Sequence, residues 1–487
     1  MLHITNILFY IFIVPILSSG VLLVTSFKSL KSISLVTTCT TFLFSLVLWL
    51  LFDSSLGSFQ FCTSEVWFLE HSLVFSFGID GISLFFVILT TMLVPICLLI
   101  SWNTVNQYLK IYLILFLVLE SLLIGVFCIL DLLLFYIFFE SVLIPMFLII
   151  GVWGSRGRKI KASFLFFLYT LFGSVSMLLS ILYIYYQSGT TDYRVLVTFS
   201  FSFFEQKFLW ISFFLSLATK IPMLPTHLWL PEAHVEAPTA GSVILAGVLL
   251  KLGVYGFIRF SLPLFPEASF YFTPMIYSLA GTGIVYTSLT AIRQTDFKRI
   301  IAYTSIAHMN LVILGIFSFS VIGIEGAILQ SLSHGFVASG LFMVIGVVYE
   351  RYHTRMVRYY GGLVHVMPLY TFIFLFFTMA NIGFPGTSSF VGEFLILTGS
   401  FQTNISITLI GATSIVISGC YSLWLFNRIV YGNLKTQYFN AFLDLNKLEF
   451  LIFAPLVSAI ILMGLLPAVF LNCLHMSVNN LIEIIYF

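Results

Sequence analysis

Charge is what this chain has least of: Asp, Glu, Lys and Arg make up 8% of its 487 residues, while 60% are hydrophobic. A soluble domain carries about 25% charged residues, so no ordinary water-facing surface can be built from this composition. The chain reads as a polytopic membrane protein. Its net charge of +2 is too small to point to nucleic acid, and its aromatics sit inside apolar runs rather than among basic patches.

Other absences narrow the chemistry. Cys39, Cys97, Cys128, Cys420 and Cys473 lie in or beside apolar runs and Cys62 in a loop, with no C-x-x-C pair. Neither a disulfide framework nor a zinc or iron–sulfur site is expected from such spacing. There is no G-x-x-x-x-G-K-[ST], and Gly281-Thr282-Gly283 lies in an apolar span with no strand before it. ATP and dinucleotide binding are therefore not expected, and no nucleophile–base pair appears. The first residues lack both a basic n-region and the Arg/Ser-rich character of a presequence, and read as a retained first span.

What is present is a series of long apolar runs. Runs of about 20 residues predict spans near 5–25, 32–52, 82–102, 110–129, 132–152, 162–186, 208–230, 236–262, 274–292, 299–318, 322–349, 368–399, 404–430 and 449–474, about 14 helices in all. The basic residues test that layout. Of 21 lysines and arginines, only Arg194 and Lys207 fall in even-numbered loops and only Lys220, Lys251 and Arg259 inside spans, which leaves 16 for the odd loops. The positive-inside rule then places the odd loops on the matrix or cytoplasmic side and both termini opposite. The loop at 53–81 carries Asp53, Glu65, Glu70 and Asp80, as suits the outer face.

An ionisable side chain at the centre of a bilayer helix costs roughly 2.5 to 3.5 kcal/mol even on lenient scales, so each one needs a reason. Arg259 lies near a helix end and is expected to snorkel in a structural role. Lys220 and Lys251 lie too deep for that. Glu120, Glu140 and Glu393 are embedded as well, with His308 and His334 on two intervening spans, and an ionisable row of this kind marks a proton or ion path. Burial disfavours an ammonium and a nearby carboxylate favours it, so Glu140 beside Lys220 makes a protonation switch. As a device for stability alone a buried ion pair is poor, because an apolar pair of equal volume does as well. Imidazoles accept and donate protons near neutral pH, which suits His308 and His334 to a relay. Tyr303, Thr304, Ser305, Ser331 and Ser333 supply hydroxyls to hold ordered water between the titrating groups. His227, His234, Glu232 and Glu236 fit no zinc spacing, and the two glutamates are expected to cap the eighth helix.

Pro222, Pro225 and Pro231 interrupt the seventh span, and Gly383, Pro385 and Gly386 the twelfth, each with one charged residue nearby. Paired broken helices of this kind point to inverted repeats around a transport site. The predicted architecture is an all-α polytopic membrane protein of about 14 transmembrane helices. Within it, spans 4–8 and 9–13 form two inverted repeats of five helices, with helices 7 and 12 broken. The corresponding division is an N-terminal segment 1–109, repeats at 110–262 and 263–432, and a C-terminal helix and tail at 433–487.

Five stretches carry a resemblance: KIPMLPTHLWLPEAHVEAPTAGSVILAGVLLKLGVYGFIRF, LDLLLFYIFFESVLIPMFLIIGVWGSRGRKIKA, IAYTSIAHMNLV, LSHGFVASGLF and GFPGTSSFVGEF. Together they resemble the antiporter-like membrane-arm subunits of NADH:ubiquinone oxidoreductase, respiratory complex I, in the chain 4 type of plant, algal or protist mitochondria. The likeness runs from about residue 110 to 430, and Glu393 in G-E-F, where related subunits carry a lysine, resembles chain 4 rather than chains 2 or 5. By motif it implies Glu140 and Lys220 as a coupling ion pair, Lys251 as central relay, His308 and His334 as the link, Glu393 as the distal proton site and Glu120 as a possible addition. It further implies a mitochondrial inner-membrane location, lipids, protons and internal water, and flanking chain 2-like and chain 5-like subunits, the latter's lateral helix lying alongside. NADH, FMN, iron–sulfur clusters and ubiquinone would belong to other subunits. A secondary Na⁺/H⁺ antiporter subunit is the alternative, and a scaffold with an inherited polar row is a third reading.

Overall fold

The computed structural model describes residues 7–68, 73–435 and 443–486, so Glu70 lies outside the described residues. It is a bundle of helices, as a bilayer demands: with no water to satisfy backbone groups, a helix that pairs its own N–H and C=O is the economical spanning element. In chain order these are α1 (Ile7–Val24), α2 (Leu30–Leu51), α3 (Gly81–Ile100), α4 (Leu109–Cys128), α5 (Leu132–Trp153), α6 (Lys159–Ser188), α7 (Phe203–Lys220), α8 (Trp229–Glu236) and α9 (Thr239–Leu264). They are followed by α10 (Pro266–Arg293), α11 (Phe297–Ile316), α12 (Val321–Tyr352), α13 (Pro368–Ile382), α14 (Ser388–Thr403), α15 (Ile405–Val430), α16 (Lys447–Leu465) and α17 (Pro467–Tyr486). Thirteen of them, α17 included, are long and apolar enough to cross a membrane. The predicted twelfth span is α13 plus α14; the predicted seventh, 208–230, takes in most of α7 and only the start of α8, which runs on to Glu236.

Two features depart from the expected layout. The fourteenth span ends at Leu465 instead of continuing to 474: Leu466 leaves the helical region and Pro467 opens a separate helix. Proline suits a first helical turn, where its missing N–H would have no partner anyway. The loop at 53–81 contains an antiparallel hairpin, β1 (Gln60–Phe68) with β2 (Leu73–Ile79), pairing Thr63 with Phe77 and Glu65 with Phe75.

The chain packs as two compact units, one of residues 1–221, 248–274 and 471–487, the other of 222–247 and 275–470. These are packing units, and their limits differ from those expected for the two repeats, 110–262 and 263–432. In the first unit α17 seats its Cys473–Ser477 turn against the start of α3, where Ser477 Oγ accepts the Gly81 N–H at 3.0 Å. A Cβ on Gly81 would come within 2.0 Å of the Cys473 carbonyl oxygen, so this contact requires glycine. In the second unit α12 is the buried axis, packed by α11, α13 and α14. Small residues let backbones approach there, as at Gly326 against Leu395 and Ile396. Large apolar side chains such as Leu50, Phe172 and Val416 remain exposed on the outside, the pattern of a surface solvated by lipid.

Candidate functional site

Both breaks have local causes. Pro222 excludes Ile221 from the helical region, so α7 stops with Lys220 as its last residue. The unpaired carbonyls of a helix C-terminus favour a cation, and Lys220 is placed to receive that field. The chain then passes Pro222 and the cis Leu224–Pro225 bond before α8 begins. In the twelfth span Gly383 and Gly386 take φ values of +82° and +94°, open only to glycine at low cost.

In the first unit Lys220 is 2% exposed, donates to the Phe139 carbonyl at 3.5 Å and lies 4.4 Å from the Phe139 ring centre. No direct ion pair joins it to Glu140, one residue further along α5. Thus the structure places the pair side by side and leaves it open. The Glu140 carboxylate faces Ser174 of α6. Lys251 is completely buried, and two π-helical stretches flank it, Leu245–Leu249 and Phe257–Ser261. Such wide turns are rare and cluster at functional positions. Glu120, also completely buried, is hydrogen-bonded through Oε1 to the Thr41 hydroxyl at 2.6 Å. Thr41 belongs to a seam of buried hydroxyls on α2 with Ser34, Thr38 and Ser45.

Arg259 corrects the snorkelling expectation. It is 4% exposed and pairs with Asp80 at 2.5 Å, over the rings of Phe59, Tyr193 and Tyr255. Asp80, read as an outer-loop acid, also caps α3 by accepting the Ser83 N–H at 3.0 Å. The acid sits at the helix start because that end satisfies its charge, and Arg259 stays inward because its partner is there.

In the second unit Glu393, His308 and His334 come together. His308 Nδ1 lies 3.2 Å from Glu393 Oε1, and the two imidazole centres are 5.9 Å apart. Gln330 Nε2 donates to the same Glu393 oxygen at 3.0 Å, and Ser333 bonds Ser388 at 2.8 Å. Ser331 and Thr304 spend their hydroxyls on carbonyls of their own helices. His234 stacks on Phe342 at 4.5 Å, and His227 meets the Tyr286 ring edge-on.

Glu232 and Glu236 are ion-pair partners rather than helix caps. Glu232 bonds Arg299 at 2.5 Å, and Glu236 lies 3.6 Å from Arg355, which also approaches Asp296 at 3.8 Å. Arg355 and Lys298, counted among loop cations, are buried at 0% and 1%. Lys298 donates to the Ala237 carbonyl at 2.7 Å, between α8 and α9, and Arg355 to that of Val235 in the last turn of α8.

Residues 130–418 match the model of the NADH:quinone oxidoreductase/Mrp antiporter transmembrane family. NADH-ubiquinone oxidoreductase chain 4 of Arabidopsis thaliana is 58% identical over 96% of this chain and 95% of its own. The chain belongs to the NADH-ubiquinone oxidoreductase chain 4 family. The chain 4 of Chondrus crispus is also 58% identical, over 94% of this chain and 93% of its own. Among solved structures, a chain of respiratory complex I from Thermus thermophilus with bound NADH superposes with a TM-score of 0.89 at 28% identity, covering 98% of this chain and 99% of that one. A chain of the Mrp complex from Dietzia sp. superposes at 0.88 with 18% identity over the full length of both, which shows a common fold.

Within this chain 4 relative, sequence reading missed Gln330, Thr41, Asp80, Lys298 and Arg355. A signal existed for the first: Gln330 and His334 are four residues apart in an apolar helix and therefore share a face. Thr41 lies in a helical repeat of small hydroxyls at 34, 38, 41 and 45. Lys298 and Arg355 stand at span ends, where position alone does not separate buried from exposed.

Gly383 carries a prediction. A Cβ there would lie 2.8 Å from Glu393 Oε2. Gly383→Ala is therefore expected to cost about 1–2 kcal/mol for the left-handed backbone and to push the carboxylate off His308 and Gln330. Quinone-reductase turnover should fall several-fold while Gly419→Ala on α15, whose Cβ would make only an ordinary van der Waals contact with Ile382 at 4.0 Å, leaves it unchanged; equal turnover in the two variants would overturn the assignment.

Proposed function

We propose that this chain is a proton-translocating membrane-arm subunit of NADH:ubiquinone oxidoreductase, and that it carries protons on Glu140, Lys220 and Lys251 in one unit and on His308, His334 and Glu393 in the other. The observation that carries this reading is the contact of Glu393 with His308 and Gln330 at the break of the twelfth span. A carboxylate in direct contact with an imidazole, a group that accepts and donates protons near neutral pH, is an arrangement that suits a proton site. Its placement beside a helix break supplies unsatisfied backbone groups where ions and water are tolerated in a membrane.

The switch on the other side is the open Glu140–Lys220 pair. A carboxylate moving toward Lys220 holds its proton; a carboxylate moving away leaves burial to expel it. Lys251, between two wide helical turns, takes the next position in this relay, and the buried Glu120 on α4 is proposed as an additional proton site. The inverted repeats at 110–262 and 263–432 give the two halves opposite orientation, which suits one access route to each side of the membrane.

No redox chemistry is assigned to this chain. Each proton moved against about 150–200 mV needs roughly 3.5–4.6 kcal/mol, and that energy comes from electron transfer between NADH and ubiquinone on subunits carrying FMN and iron–sulfur clusters. Chain 2-like and chain 5-like subunits flank this one, the latter's lateral helix lies alongside, and lipid surrounds the assembly. The location is the mitochondrial inner membrane, with the cation-rich odd loops on the matrix side and the termini on the intermembrane-space side.

The test is co-migration. Solubilised gently and run on a native gel, the chain is expected to travel with rotenone-sensitive NADH oxidation. Migration apart from that activity, with Na⁺-dependent proton flux in reconstituted vesicles, would replace this reading with a secondary Na⁺/H⁺ antiporter.

A further inference from the structure

A cationic hollow opens in the second unit where the chain before α13 meets the end of α15. It has a volume of about 660 Å³ and is lined chiefly by Arg358, Tyr360, Asn427, Arg428, Tyr431 and Lys435. Two hydrogen bonds build it from separate stretches of chain: the Gly362 N–H donates to the Tyr431 carbonyl at 3.1 Å, and Lys435 Nζ donates to the Arg358 carbonyl. The approach is close enough that a Cβ on Gly361 would meet the Asn433 carbonyl oxygen at 3.2 Å. The cradle is therefore held by one backbone hydrogen bond, one bond from a lysine side chain to a backbone carbonyl and close backbone packing, and does not depend on any ion pair.

Its charge is not balanced. Among the described residues no carboxylate pairs with Arg358, Arg428 or Lys435. The acid that follows, Asp444, spends both oxygens on the N–H groups of Leu369 and Tyr370 at 3.0 Å. Lys435 is held below the ordinary lysine value, first by partial burial and then by the charge of Arg428. Three cations converging without an anion are a standing repulsion that a bound anion relieves.

We propose that this hollow binds a phosphate-bearing anion, either the headgroup of an acidic phospholipid or a soluble phosphate. Two guanidinium forks and an ammonium match the several oxygens of a phosphate better than the single plane of a carboxylate. The volume exceeds what a monatomic anion needs. The lipid source is favoured by position: Tyr431, just past the end of α15, is 55% exposed, and Trp424, within its last two turns, is 44% exposed. Rings of this type sit at headgroup level in a bilayer, and basic pockets at the ends of spans take lipid headgroups.

The experiment uses whatever assembly the chain purifies with, reconstituted in vesicles containing phosphatidylglycerol that bears a photoreactive group next to its headgroup. Crosslinks are expected in peptides covering 358–361 and 427–435, and R358Q/R428Q/K435Q should lose them roughly tenfold or more, at about a tenfold effect for every one to two basic residues removed. None of the three is a proton carrier, so basal turnover should hold. Should the triple variant not assemble, R428Q alone is compared with the parent, using a zwitterionic photolipid as control. Labelling that excess inorganic phosphate does not displace assigns the site to lipid, whereas displacement, or retention of radiolabelled phosphate by the solubilised parent and not the variant, assigns it to a soluble phosphate. Labelling and phosphate retention that are the same in parent and variant would overturn the site.

Discussion

Replacing Lys251 with methionine lowers NADH:ubiquinone turnover and its coupled proton pumping at least about tenfold, a barrier increase of about 1.4 kcal/mol or more, while the assembled complex persists. Methionine keeps the length of the side chain and removes its charge. If Lys251 served only packing, the exchange would be neutral or mildly stabilising, because a buried ammonium pays for its lost hydration and an apolar side chain of similar volume does not. Relay and packing therefore predict opposite results for one variant. Lys251→Ala adds a cavity to the same loss of charge and serves as the second measurement: its activity should match the methionine variant even where its stability is lower. Normal turnover and pumping in an assembled Lys251→Met complex would remove Lys251 from the path. Both variants remove the amine from between the π-helical stretches Leu245–Leu249 and Phe257–Ser261, so a loss of activity that the two share is assigned to the amine.

The second large effect is structural. Asp80→Asn is expected to destabilise the first unit by about 3–5 kcal/mol, because it leaves the buried Arg259 guanidinium without its counter-charge. A total stability of roughly 5–15 kcal/mol leaves little after such a loss, so assembled complex on a native gel should fall severely. Asparagine caps a helix about as well as aspartate, so the start of α3 is not the cause. The double variant Asp80→Asn/Arg259→Met removes both charges and should recover assembly in good part. A single variant that assembles like the parent, or a double variant that is worse than the single, would show that the pair is not what holds this corner. Turnover per assembled complex should stay near normal in the double variant, since neither residue belongs to the proposed proton path.

How much of this was legible beforehand differs by kind of residue. Lys220, Lys251, Glu120 and Glu393 stand out because a charge inside an apolar run is costly wherever the chain folds, and a one-dimensional count detects it. The breaks are equally legible, since Pro222 and Gly383 act on their own backbone and nearest neighbours. Partners are another matter. Asp80 and Arg259 are 179 positions apart, and Gln330 and Glu393 are 63 apart, and nothing local tells which polar group meets which. Arg355 and Lys298 look like ordinary loop cations in the sequence, and only the folded chain turns them inward to carbonyls at the end of α8 and just beyond it.

By itself the sequence determined the class, the order and approximate limits of the spans, the two interruptions and the identity of the embedded ionisable residues. All of these follow from the price of putting polar groups into hydrocarbon and from the backbone limits of proline and glycine, which act residue by residue. Tertiary structure decided the rest. It separated α17 from α16 and paired β1 with β2. It closed Arg259 onto Asp80 instead of letting it snorkel, and left Lys220 beside Glu140 without a direct bond. These outcomes depend on which surfaces are brought within a few ångströms of each other, and that is a property of packing among distant segments that no local pattern contains.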